Sequence, residues 1–241
     1  MGGGVIIKPV LDAIGVADVA AINLLSGCTV IGMTSWSVGK SILKKESVID
    51  LRISTPLAIG AAAGGIVGKD LFRMVAAYFA DPNTAGGVQA CLLMAATIAT
   101  LIYTIRKDQI RSWHIRSMIV CFCIGAGLGI LGSFLGIGGG PFNMAVLYLF
   151  FSMGTKVASQ NSLYVILISQ VTALLRTLMS GEVPSVVPML LLGMILCGVL
   201  GSEAGSRVNK RLTEKKATAL FEGAMLLVIM ICVFNMNKFF I

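Results

Sequence analysis

The stretch Leu135-Gly136-Ile137-Gly138-Gly139-Gly140-Pro141 decides the fold, because it interrupts the longest uncharged run in the sequence. That run extends from Ser117 to Thr155 without a single Asp, Glu, Lys or Arg. As one straight helix it would measure about 58 Å, roughly twice the thickness of a bilayer core. The chain must therefore turn inside or near the membrane.

The glycines and the proline supply this turn. Glycine frees the backbone, and proline is favoured in the first turn of a new helix. We predict that two membrane segments, or a helix and a re-entrant half-helix, meet at Gly136–Pro141.

Composition assigns the rest of the chain to the same class. The sequence is 56% hydrophobic and 12% charged, with a mean hydropathy of +0.91, whereas soluble domains carry about 25% charged residues. The apolar runs are continuous rather than alternating, which favours helices over a barrel. We predict an all-α polytopic bundle. Besides the central run, four stretches are long enough to cross a bilayer: 19–39, 82–105, 157–175 and 183–202.

This pattern predicts about eight membrane segments, within a range of seven to nine. Asp81-Pro82-Asn83 and Gly181-Glu182-Val183-Pro184 are turn signals, and Pro184 should stand just before a new helix. The predicted segments are Ala13–Gly39, Ile53–Phe79, Gly86–Ile105, the hairpin Ser117–Met153, Val157–Ser180, Ser185–Ser202 and Ala217–Asn237.

The net charge of +8 is carried mostly by short connections between apolar runs. This bias is typical of cytoplasmic loops, and it leaves no separate basic domain for nucleic acid binding. It also places Lys156 inside, so the central run should begin and end on one side. The basic clusters are Lys40, Lys44, Lys45 and Arg52; Arg106, Lys107, Arg111 and Arg116; and Arg207, Lys210, Arg211, Lys215 and Lys216.

We expect two similar halves, residues 1–106 and 107–241, as in many secondary transporters. Aligning Ser54 with Ser162 places Gly32 on Gly140. This alignment favours parallel copies and predicts a weaker hairpin within the first segment.

The Gly-rich break is the leading candidate site. Irregular backbone at membrane depth persists only where it is buried in protein or lines a cavity. A half-helix starting at Pro141 would direct free N–H groups and its positive dipole end at the break, which favours an anion. The alternative is that the glycines only allow close helix packing. The predicted substrate-binding residues here are Gly136, Gly138, Gly139, Gly140, Pro141 and Asn143.

Polar and basic residues on neighbouring segments extend this site. Gln170 lies deeper and needs a partner inside the bundle. The alternatives are helix capping for the polar group and snorkelling to the interface for the basic pair. The predicted substrate-binding residues are Gln160, Asn161 and Ser162 at one helix start, Ser54 and Thr55 at another, and Lys69 and Arg176 near the outer face.

The sequence contains no protease, hydrolase or nucleotide-binding motif, so we predict neither an enzyme nor a cofactor. The methionines and cysteines are scattered, which favours packing over metal binding, although Cys121 and Cys123 leave a soft-metal permease as an alternative. A permease for another small solute and a structural subunit of a membrane complex are further alternatives.

The stretch Gly132–Phe142, together with Lys156-Val157-Ala158-Ser159-Gln160-Asn161-Ser162, resembles the signature of the sulfite exporter TauE/SafE family. The resemblance implies seven to nine membrane segments in two similar halves, each opening with a Gly-rich break. In the first half, the break is expected near Gly27-Cys28-Thr29-Val30-Ile31-Gly32-Met33.

The resemblance also implies a secondary permease for small sulfur-containing anions, such as sulfite, thiosulfate or sulfonates, in a prokaryotic inner membrane. The anion would lie where Gly138–Gly140 meets the start of the predicted segment Val157–Ser180. Its partners would be backbone N–H groups, Asn143, Gln160, Asn161 and Ser162. The expected partners of the protein are this small anion and membrane lipid, and a homo-oligomer is compatible with the sequence.

Overall fold

In a computed structural model, the described residues are 4–15, 17–45, 47–78, 82–106, 113–115, 117–181 and 183–240. Within them the chain forms nine helices and no strand, which confirms the all-α prediction. The helices are α1 (Gly4–Ile14), α2 (Val19–Leu43), α3 (Leu51–Tyr78), α4 (Pro82–Arg106), α5 (Met118–Phe134), α6 (Gly140–Phe151), α7 (Thr155–Met179), α8 (Pro188–Arg211) and α9 (Glu214–Phe240).

Six of these helices are long and apolar enough to cross a membrane, namely α2, α3, α4, α7, α8 and α9. Two shorter apolar helices, α5 and α6, form the predicted central hairpin. α5 ends at Phe134 and α6 begins at Gly140, so the Gly-rich stretch is the turn between them. The chain is a multi-pass helical membrane protein.

The basic connections lie together at one end of the bundle. The backbone N–H of Val48, after α2, donates to Gln160 at the start of α7. Lys40 near the end of α2 pairs with Glu203 on α8, and the N–H of Ile115 donates to Phe150 at the end of α6. The central hairpin therefore begins and ends on the basic side, as predicted, and we call this the inner end.

Small residues join α5 tightly to α3. A Cβ added to Gly64 would collide with the backbone carbonyl of Ala126, and one added to Gly129 would collide with that of Ala61. Glycine lets two helix backbones approach this closely in a membrane. The contact fixes α5, and with it the position of the break.

The prediction of a first segment at Ala13–Gly39 with a break inside it is wrong. Instead of one broken segment from Ala13, a short helix α1 is followed by an unbroken α2. Gly32 does not form a break: a Cβ there would lie 2.8 Å from Ile195 Cγ2 on α8, so this glycine serves helix packing. The predicted parallel copy of the hairpin at 27–33 is therefore absent.

A different internal correspondence is visible in the helix lengths. α1 to α4 contain 11, 25, 28 and 25 residues, and α6 to α9 contain 12, 25, 24 and 27. α2 ends at the inner end whereas α7 begins there, so the two series run in opposite directions. The division into halves at residue 106 stays a prediction.

The sixth predicted segment also shifts. Pro184 lies in the connection before α8, and Pro188 takes the first helical position. α8 continues to Arg211 because its charged last turns reach the inner end, where Glu203 meets Lys40 and Arg207. The predictions for Asp81, Lys107, Arg111, Arg116 and Glu182 fall outside the described residues.

Candidate functional site

The break is built from backbone conformations that favour glycine. Gly136, Gly138 and Gly139 have φ angles of +68°, +69° and +77°, in the left-handed region that L side chains avoid. Gly139 is the N-cap of α6, and Pro141 occupies the first turn. The sequence Gly-Gly-Gly-Pro thus ends one chain direction and starts the other within a few residues.

Neighbouring helices hold this turn in place. Gln89 on α4 donates a hydrogen bond to the carbonyl of Phe134, the last residue of α5. The Phe134 ring packs edge-on against Phe72 on α3, with ring centroids 5.8 Å apart. A Cβ on Gly132 would lie 3.0 Å from the backbone nitrogen of Gly139, so the loop folds back onto α5 itself.

The start of α6 leaves donors available. The N–H groups of Gly138, Gly139 and Gly140 have no backbone acceptor within the described part of the chain, as the first turn of a helix requires. Asn143 is buried beside them, with its Oδ1 3.0 Å from where a Cβ on Gly139 would stand. Such donors, together with the positive end of the helix dipole, favour an anion.

A cavity of about 410 Å³ opens beside the break, toward the end opposite the basic connections. Among the described residues that line it, the two with charged side chains, Lys69 and Arg73, are both cations. Its other polar lining side chains are Asn23, Cys28, Ser133, Gln170 and Thr177, and Gly132 and Gly136 contribute backbone. We call it the outer cavity.

Gln170 connects this cavity to the break. A Cβ on Gly138 would lie 2.6 Å from Gln170 Nε2, and one on Gly27 would lie 3.2 Å from its Oε1. Gln170 therefore packs against the bare backbone of two glycines, one on α2 and one in the break, and the partner expected for it is not found among the described residues. Its amide is held beside the cavity without a hydrogen bond to the described residues.

The two basic residues predicted near the outer face have different surroundings. Lys69 Nζ donates to the carbonyl of Ala173, at 3.0 Å, and to the hydroxyl of Thr177. Both acceptors are neutral, so the charge of Lys69 remains available to the outer cavity. Arg176 is about half exposed and pairs with Asp70 at 3.5 Å, outside the cavity lining.

The start of α7 is tied to the connection between α2 and α3. Asn161 Oδ1 accepts hydrogen bonds from Ser54 Oγ at 2.6 Å and from the Asp50 backbone at 2.9 Å. Its Nδ2 donates to the carbonyls of Val157 and Val48. Asn161 and Ser54 are both fully buried, so in this conformation their polar atoms contact protein.

The remaining predicted residues lie near this clamp. Ser162 Oγ is 3.5 Å from the carbonyl of Gly140, which joins α7 to the start of α6. Thr55 Oγ1 is 3.5 Å from the hydroxyl of Tyr164. Gln160 Oε1 accepts from Ser41 at 3.3 Å and lines a second cavity.

This second cavity, of about 480 Å³, includes Met144, Thr155, Ser159, Gln160 and Leu163 in its lining. The outer cavity uses the start of α2 and the end of α7, whereas this one uses the end of α2 and the start of α7. Because α2 and α7 run antiparallel, the two cavities lie toward opposite ends of the bundle. We call this the inner cavity.

A void of about 10 Å³ adjoins the outer cavity at the break, and the two share Gly132, Ser133 and Gln170 in their linings. The lining of the void also includes Gly138, Asn143 and Ser169. This volume is at the lower limit for a single water molecule. The predicted site residues therefore fall into three groups. Lys69 forms the outer group, and Gly136, Gly138–Pro141 and Asn143 form the break. The inner group consists of Ser54, Thr55 and Gln160–Ser162.

The sequence analysis missed three polar residues near the break, namely Lys8, Asp12 and Asn23. A Cβ on Gly136 would contact Asn23 Oδ1 and would lie 2.8 Å from Lys8 Cε. Lys8 and Asp12 stand four residues apart in an otherwise apolar stretch. That helical spacing is the signal that could have revealed them.

The two cysteines considered for soft-metal binding lie in different surroundings. Cys121 is buried in the core, whereas Cys123 is exposed. Residues two positions apart on a helix do not face each other. In the described conformation, the two thiols therefore do not point into one site.

Comparison with known proteins assigns the architecture. No curated protein and no solved structure matches the chain. The family model described as sulfite exporter TauE/SafE matches residues 1–232, which cover α1 to α8 and most of α9. The chain therefore belongs to the sulfite exporter TauE/SafE family of membrane transporters.

Proposed function

We propose that this permease carries a small sulfur oxyanion or sulfonate across a prokaryotic inner membrane. The observation that carries the proposal is the outer cavity, where, among the described residues, both charged lining side chains are cations. A cavity of one charge sign concentrates ligands of the opposite sign.

The anion would bind between Lys69, the Gln170 amide and the Gly-rich break. The acceptors of Lys69 among the described residues are both neutral oxygens, so an anion entering the cavity would not compete with either of them for charge. The unpaired N–H groups of Gly138–Gly140 would replace part of the hydration shell, as helix starts do in other anion sites.

The inner group supports a second half of the route. Gln160 and Ser159 line the inner cavity, and the break lies between this cavity and the outer one. An anion would pass from one cavity to the other when the helices around the break move, which is the alternating access expected of a secondary transporter. The predicted direct binding roles of Ser54 and Asn161 would require their mutual hydrogen bond to open.

Transport by purified protein in liposomes tests the proposal. Liposomes would be loaded with radiolabelled sulfite, thiosulfate or sulfoacetate, and efflux would be compared with that from empty liposomes, with and without a proton gradient. Efflux that differs among the three anions is expected. The absence of flux for all three, with protein shown to be folded, would contradict the proposed substrate class.

A variant pair localises the site. Lys69→Gln should weaken transport because it removes a cation from the outer cavity. Arg176→Gln is the matched control, since this side chain pairs with Asp70 outside the cavity lining. Equal effects of the two changes would contradict binding in the outer cavity.

A further inference from the structure

α1 carries an ion pair inside the bundle. Lys8 Nζ lies 2.8 Å from Asp12 Oδ2, one helical turn further along, and the two side chains are only 4% and 9% exposed. Ionisable residues within a membrane domain are costly and usually serve a function. We call these two residues the α1 ion pair.

The α1 ion pair lies next to the proposed anion site. Lys8 Cε is 2.8 Å from where a Cβ on Gly136 would stand, and Asn23 Oδ1 is in contact with the same point. Gly136 and Asn23 both line the outer cavity. Gly136 and Asn23 therefore join the Lys8 side chain to the lining of the cavity.

Asn23 offers Lys8 a second acceptor on the cavity side. Its Oδ1 is buried and accepts no hydrogen bond from the described residues. A lysine ammonium has three donors, and its hydrogen bond in this structure goes to Asp12. Loss of the Asp12 charge would thus leave Lys8 a neutral acceptor nearer the cavity.

Titratable side chains on the helices around the pair include cysteines and a tyrosine. α1 packs against α2, α6 and α9. On α9, Cys232 is close enough to interact with both members of the pair, and Cys91 on α4 lies beyond it. Cys28 on α2 interacts with Lys69 instead, and Tyr148 on α6 interacts with groups at the inner end.

We propose that the α1 ion pair couples transport to protons, with Asp12 carrying one proton for each anion that Lys8 helps to hold. This inference rests on the proposed function and adds its driving ion. Asp12 is the carboxylate paired with Lys8, and the Lys8 side chain lies beside the lining residue Gly136.

The cycle balances in charge and atoms. A proton from the aqueous phase forms an O–H bond on the Asp12 carboxylate, which ends its charge attraction for Lys8. The ammonium turns toward Asn23 and the outer cavity, where it attracts the anion. When the anion leaves on the other side, Lys8 returns to Asp12 and the proton is released there.

Asp12→Asn tests the inference because the amide imitates the protonated carboxylate. Two assays with radiolabelled thiosulfate in proteoliposomes separate binding from coupling: counterflow at equal pH, and accumulation driven by an imposed proton gradient. We expect the variant to retain counterflow at the wild-type rate and to lose gradient-driven accumulation. Asp18→Asn, at an exposed acid at the start of α2, is the matched control and should retain both.

Several results would overturn the coupling role. Folded Asp12→Asn that keeps gradient-driven accumulation, or that loses counterflow as well, would show that Asp12 does not carry the proton. If this variant fails to fold, a pH-sensitive dye inside wild-type liposomes decides: accumulation of thiosulfate without proton movement refutes coupling. Wild-type protein without counterflow for thiosulfate, sulfite or sulfoacetate would instead overturn the proposed function, and the coupling with it.

Discussion

Gly138→Ala should separate the stability of the break from its role in transport. Gly138 has a φ of +69°, and the added methyl group would lie 2.6 Å from Gln170 Nε2. Alanine in the left-handed region costs about 1–2 kcal/mol. The contact with Gln170 adds little to this cost, because the end of a flexible side chain can move away. That movement, however, takes the amide out of its place beside the outer cavity.

The magnitudes follow from these two effects. A loss of about 1–2 kcal/mol reduces the ratio of folded to unfolded protein roughly 5- to 30-fold, which lowers thermal stability without preventing folding. A hydrogen bond to a charged group contributes about 1.5–3 kcal/mol. Displacing Gln170 should therefore raise the KM for the anion about tenfold to hundredfold.

One control glycine and two variants of Gln170 make the assay specific. Gly181 has the same φ of +69° but nothing within 4 Å of an added Cβ, so Gly181→Ala should lose the same stability and keep its KM. Gln170→Ala should raise the KM without the backbone strain, and the Gly138→Ala/Gln170→Ala double variant should be no worse in KM than the single ones. Initial rates of anion uptake into liposomes and thermal unfolding of the same preparations give both quantities. A wild-type KM for Gly138→Ala, or an equal KM change for Gly181→Ala, would refute the reasoning.

Three further changes test other parts of the structure. Lys69→Met should raise the KM about tenfold and flatten its dependence on salt, measured as uptake at several ionic strengths, whereas exposed Lys216→Met should change neither. Asn161→Ala removes the acceptor of two hydrogen bonds, and each buried group left unpaired costs about 1–3 kcal/mol. The temperature of thermal unfolding should fall while the KM stays unchanged. A raised KM with an unchanged unfolding temperature would instead support direct substrate binding by Asn161. Gly64→Leu should abolish folded protein in size-exclusion chromatography because α5 cannot approach α3, whereas Gly193→Leu meets open space and should not.

The central hairpin could be predicted because its cause is a matter of length. An uncharged run about twice as long as a membrane crossing must turn, and Gly136–Pro141 combines a cluster of glycines with a proline that can start a new helix. The basic residues that flank the hairpin, Arg116 and Lys156, were enough to predict that both of its ends lie on the same side of the membrane. Neither step required knowledge of tertiary contacts.

α1 was missed for the opposite reason. It is short, with 11 residues, and the charges of Lys8 and Asp12 make it resemble a connection rather than a membrane element. Those charges are tolerated because α1 is buried among α2, α6 and α9, which hydropathy cannot show. A signal was nevertheless present: Gly2-Gly3-Gly4 stands 136 residues before Gly138-Gly139-Gly140, and Gly4 begins α1 as Gly140 begins α6.

The glycines in α2 illustrate how one residue type can mislead. Gly32 was aligned with the break because glycine favours irregular backbone, but in the structure it gives Ile195 of α8 room to pack. Gly27 similarly makes room for Gln170. Sequence alone does not distinguish a glycine needed for a φ angle from one needed for close approach, because both depend only on the missing side chain.

The division between the two cavities determines which residues must act in both binding and gating. The outer and inner cavities are each large enough for a small ligand, but the void of about 10 Å³ at the break is not. Gly138 and Gln170 border that void, and Gln170 also lines the outer cavity. An anion bound to the Gln170 amide would therefore touch the residues that block its path. Binding energy gained at this point can favour the movement that opens the path, because a ligand shifts a conformational equilibrium only through contacts that differ between the two states.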